Sequence, residues 1–138
     1  MREQIRDQIL ARRDRALEQA RLARTAPEPS REFIAACVHS YVCFKFLLDP
    51  EEGRGLTMSE LAEKSIEKSL DMKIPLAKES EVATTCGAAG SAAMKIALLL
   101  TAVKKDFDVT IDPRRLGFVK DTEELGDLVY RAMRGEAV

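Results

Sequence analysis

Two apolar stretches set the limits on what this chain can fold into. From Phe33 to Leu48 only His39, Ser40 and Lys45 are clearly polar, and from Ala92 to Val103 only Lys95 and Thr101 are. A helix that is oily on nearly every side needs cover on nearly every side. Neither stretch reaches the roughly 20 apolar residues that cross a bilayer. Aromatic residues make up only 5% of the chain and tryptophan is absent. The expectation is an aliphatic core in which both stretches are packed.

The remaining sequence reads as helices divided by breaks. Between Met1 and Arg24, the residues Ile5, Ile9, Ala16, Leu17 and Ala20 form a narrow apolar stripe. Seven arginines stand against four acids there, a local balance of +3. No lysine cluster or aromatic platform accompanies them, so a solvated face is favoured over nucleic-acid binding. TAPEPS, 25–30, ends this helix, and Ser30 is placed to cap the next. Asp49-Pro50 and the glycines at 53 and 55 end the oily stretch.

Thr57 and Glu60 form a capping box, followed by Leu61, Ile66 and Leu70 and a stop near Met72. Lys73 to Gly90 lacks periodicity. A helix is expected from Ala92 to Phe107, and a short turn opens at Asp112-Pro113. Asp121 caps a last helix lined by Leu125, Leu128, Val129 and Met133. No segment alternates as a strand does, so the fold class is all-α.

A net charge of -1 gives no whole-chain attraction to nucleic acid or membrane. Three irregularly spaced cysteines make neither a disulfide framework nor a zinc site. The opening MREQIRDQ has no apolar run of the signal-peptide kind. A cytoplasmic protein without a metal is expected.

Candidate chemistry is sparse. Cys86 precedes a glycine-rich turn near a helix start, where a thiol pKa can fall, yet no partner base is identifiable. Thiol chemistry at Cys86 is therefore a further alternative behind a buried or idle cysteine. His39 and Cys43 share a helix face, and core packing of a satisfied histidine is favoured over a metal site. CGAAG lacks the Gly-Lys-Ser/Thr ending of a phosphate loop. Glu51-Glu52 and Glu123-Glu124 are sequence neighbours rather than facing acid–base pairs. The chain is not expected to be an enzyme.

The order of elements from residue 57 to 134 resembles an acyl carrier protein. The segment GSAAMKIALLLTAVKKDFDVTI, 90–111, carries most of the likeness, with Gly90, Met94, Leu99, Val103, Phe107 and Ile111 in step; DTEELGDLV resembles the start of a carrier's last helix. The resemblance implies a carrier-like bundle over 57–134, and the excess apolar surface of 33–48 and 92–107 predicts that residues 1–50 form a helical hairpin packed on it. The resemblance also implies a phosphopantetheine serine, and Ala93 stands at that position without a hydroxyl. Ser91, two residues early, reads as an N-cap. The family's acidic recognition face becomes Lys95, Leu98, Lys104 and Lys105, with Asp106 alone keeping the sign.

These departures point to a carrier-like module that lacks the arm and binds a protein partner. An acyl-transfer or biosynthetic enzyme is the implied partner, and Met94, Lys95, Leu98, Lys104 and Lys105 the implied interface. The alternative is a working acyl or peptidyl carrier bearing 4'-phosphopantetheine on Ser91, or on a serine replaced by Ala93. The hairpin is expected to cover the 92–107 helix, within one chain or as a homodimer through 33–48 and 92–107.

Overall fold

The computed structural model describes residues 2–72 and 91–138, which form six helices and no strand. They are α1 (Arg2–Thr25), α2 (Arg31–Lys45), α3 (Met58–Asp71), α4 (Ala92–Asp106), α5 (Pro113–Leu116) and α6 (Thr122–Met133). The expected all-α helical bundle is what forms. Among the described residues no helix is long and apolar enough to cross a membrane.

The helix starts follow from local chemistry. Ser30 Oγ accepts the Phe33 N–H at 3.0 Å, and Ser91 Oγ accepts that of Met94 at 3.1 Å. Thr57 and Glu60 satisfy one another's backbone N–H groups at 2.9 and 3.2 Å, a closed capping box. Asp112 and Asp121 cap α5 and α6. Each cap satisfies a donor that a helix start otherwise leaves open.

The oily character of α2 comes from its position. It packs between α1 on one side and α6 on the other. Ile34, Val38, Tyr41 and Val42 have no exposed surface. The approach to α6 is tight at Gly126, where a Cβ would lie 2.9 Å from Ala35 Cα.

The apolar run outlasts the helix. α2 stops at Lys45, three residues before Leu48, because Leu47 adopts a φ of +63°. That left-handed conformation costs a leucine about 1–2 kcal/mol. Burial against Ile9, with Ile5 and Met72 alongside, recovers about 1.5–3 kcal/mol.

The described residues of 1–50 and 57–134 share one core. Ala16, Tyr41, Leu61, Leu99 and Leu125 belong to a single buried cluster. Backbone bonds tie the ends in: Met58 N–H donates to Lys120 O at 2.7 Å, and Asp112 N–H to Val138 O at 2.7 Å. On α3, Leu61 is buried and Ile66 half-buried as the spacing predicts, but Leu70 is exposed.

Candidate functional site

α4 has a covered side and an open one. Leu99, Val103 and the following Phe107 are buried in the shared core. The opposite face presents Ala93, Met94, Ala97, Leu98 and Thr101 to solvent, with Met94 61% and Leu98 43% exposed. α4 packs chiefly on α3, so the hairpin expected to cover α4 does not close its open face. α1 barely touches α4, and α2 meets it at its C-terminal end. Apart from Phe33 and Ala36, the apolar side chains of 33–48 are buried or half-buried inside the chain. Of the two stretches expected to pair between copies, only 92–107 keeps a substantial apolar face.

The α2–α4 junction is polar at its centre. Tyr41 Oη donates to Asp106 Oδ2 at 2.5 Å, and its ring meets Phe107 edge-on with centroids 5.0 Å apart. Lys45 Nζ lies 3.8 Å from the same carboxylate oxygen. Asp106, the acid that the resemblance placed on an exposed recognition face, is thus turned inward.

Lys95 requires a correction. It is 2% exposed and lies outside the accessible face on which the resemblance placed it. The reason is its spacing: Lys95, Leu99 and Val103 recur at four-residue intervals and share the buried side. Of the other expected interface residues, Met94, Leu98 and Lys105 are exposed and Lys104 is half-buried. Ser91 is engaged as the cap of α4, and Ala93 offers an exposed methyl group where the resemblance places an attachment hydroxyl.

The histidine is satisfied on both ring nitrogens. Nε2–H donates to the Pro50 carbonyl at 2.9 Å, because a carbonyl only accepts. Nδ1 lies 2.7 Å from Thr122 Oγ1, and in the neutral ring it accepts that hydroxyl's hydrogen. His39 joins α2, the 46–57 connection and the start of α6. Cys43 Sγ lies 3.6 Å from Nε2, and burial, aided by Glu52 and Asp49, pushes its thiol up to about 12. Burial also raises Cys37. Thiols held in this way are protonated at neutral pH and poor nucleophiles. Cys86 and the glycine-rich turn lie outside the described residues. Among the described residues no three His, Cys, Asp or Glu side chains gather as metal ligands.

Sequence reasoning missed one surface. An open cleft of about 1160 Å³ lies between the first turns of α2, α5 and the start of α6. Phe118, on its rim, is 83% exposed. The signal for it was an aromatic residue stranded between Gly117 and Lys120, with no apolar periodicity to draw it inward.

No protein-family model matches the chain, and neither a curated protein nor a solved structure matches it.

Proposed function

We propose that this chain is a non-enzymatic helical module that works by docking another protein, laid out like a carrier protein but without a phosphopantetheine arm. The observation that carries this reading is the open face of α4. Met94 and Leu98 stand four residues apart and exposed, and the position before Met94 has no hydroxyl. An apolar pair on one helix face is a usual way to enter a partner's groove. Lys105 lies exposed on the same helix, and Asp106 is withdrawn into the Tyr41–Lys45 contact. The partner this face suits has an apolar pocket bordered by carboxylates, the reverse of the basic patches that read acidic carriers.

The non-enzymatic part is supported by the state of the nucleophiles and bases that are described. Two thiols are buried and protonated, and the histidine is fully hydrogen-bonded. The working-carrier alternative would use Ser91, whose oxygen already accepts the Met94 N–H. Intact mass after co-expression with a broad-specificity phosphopantetheinyl transferase separates the two readings. The expected result is the unmodified mass. A covalent arm mapped to Ser91 overturns the proposal.

A further inference from the structure

The cleft beside Phe118 supports an inference that does not depend on the α4 face. Its floor is apolar, formed by Ala35, Val119 and Leu128, and Phe118 stands at its edge. A phenylalanine with this much surface in water forgoes most of the stabilisation its burial would supply. A docked partner would recover it.

The charges around the floor are lopsided. Arg31 is tied to Asp127 at 3.0 Å, and Arg114 to Asp112 at 3.1 Å. Arg115 helps Arg114 hold the Asp112 carboxyl below its usual range. These three arginines are therefore opposed within the cleft itself. Asp121 and Glu124 serve the α6 start: Asp121 accepts the Glu124 N–H, and Glu124 accepts that of Lys120. Glu32 and Glu123 are exposed on the cleft and form no ion pair among the described residues. The lining thus holds six carboxylates (Glu32, Asp112, Asp121, Glu123, Glu124, Asp127) against three guanidinium groups (Arg31, Arg114, Arg115), an excess of three negative charges.

We infer that this cleft receives a cationic amphipathic helical segment of a partner protein, seating an apolar side chain against Phe118, Val119 and Leu128 and basic side chains against Glu32 and Glu123. The chain's own basic helix on a second copy is the weaker fit. The apolar stripe of α1 is already used against α2, with Ala16, Ala20 and Ala23 buried. What α1 has left is charge, and exposed ion pairs alone add little to affinity. A segment bringing both charge and an apolar face gains from both.

The test titrates the full chain into a dye-labelled synthetic helix with leucine at i, i+3, i+4 and i+7 and lysine elsewhere, followed by fluorescence anisotropy. The expected result is saturable one-to-one binding that weakens with added salt. Phe118→Ala, and separately the pair Glu32→Gln and Glu123→Gln, each lower the affinity about tenfold, as loss of an anchor in an interface does. Phe118, Glu32 and Glu123 are exposed, so these variants keep the fold, and circular dichroism checks that they do. The pair Glu63→Gln and Glu67→Gln, exposed on α3, leaves the affinity unchanged. The inference is overturned by absence of saturable binding, or by equal weakening in the α3 pair, which would mean bulk charge alone. It is also overturned if a glutamate version of the peptide binds as well. Finally, a dimer that Phe118→Ala dissociates in analytical ultracentrifugation would make a second copy the occupant.

Discussion

Lys45 and Asp106 meet with side chains only 6% and 14% exposed. Removing charges from water costs several kcal/mol per ion, and their attraction offsets that only when further hydrogen bonds complete the geometry. Tyr41 supplies such a bond. Truncation of one partner therefore leaves the other charge stranded. Asp106→Ala is expected to lower unfolding free energy by about 3–5 kcal/mol, and Tyr41→Phe by about 1.5–3 kcal/mol. The double replacement Lys45→Met with Asp106→Leu should be milder than Asp106→Ala, since it removes both charges and keeps the volume. Urea unfolding curves of the four proteins decide it. If Asp106→Ala stays within about 1 kcal/mol of the parent, as exposed pairs do, the contact behaves as a surface pair and the argument falls.

Among elements, α2 and α6 fit closely at Gly126. A methyl group on Gly126 would stand 2.9 Å from Ala35 Cα and 3.2 Å from Ala35 Cβ. Backbone atoms give way poorly, so the helices must separate. Gly126→Ala raises helix propensity by nearly 1 kcal/mol, yet the clash of an overfilled interface costs about 1–3 kcal/mol. The net expectation is a lower melting temperature, with helix content at room temperature unchanged. A melting temperature at or above the parent's would show that the two helices are free to move apart.

The elements themselves were legible because their starts are local. Ser30, the Thr57–Glu60 box, Asp112-Pro113 and Asp121 announce helices through bonds made within four residues. Which side of α4 faces inward was not legible. A helix apolar nearly all round has little contrast between its faces, so its one early lysine is read as pointing out, whereas Lys95 is buried. The cleft was hidden for a different reason. Phe118 and Glu123 lie near one another in sequence, but Arg31 and Ala35 come from α2, and only the packing of α2 on α6 brings them to the same cleft.

At the scale of the whole molecule the open question is whether residues 57–138 can stand alone, as a carrier bundle does. The shared core argues that they cannot. Ile34, Val38, Tyr41, Val42 and Phe46 come from the N-terminal part and have no exposed surface. They join the cluster that holds Leu61, Leu99, Leu125 and Val129. Each large apolar side chain contributes about 1.5–3 kcal/mol by burial. Loss of five is comparable with the whole net stability of a typical domain, about 5–15 kcal/mol. It also uncovers the α6 face around Gly126 that closes on Ala35. A chain beginning at Thr57 is therefore expected to show little helical signal and no cooperative melting, or to aggregate on size exclusion. Adding residues 1–56 as a separate peptide should restore helicity in proportion to its concentration, because the missing wall of the core would then be supplied in trans. A monomeric 57–138 chain with a sharp thermal transition would mean that α2 is an addition to a self-sufficient bundle rather than its central helix.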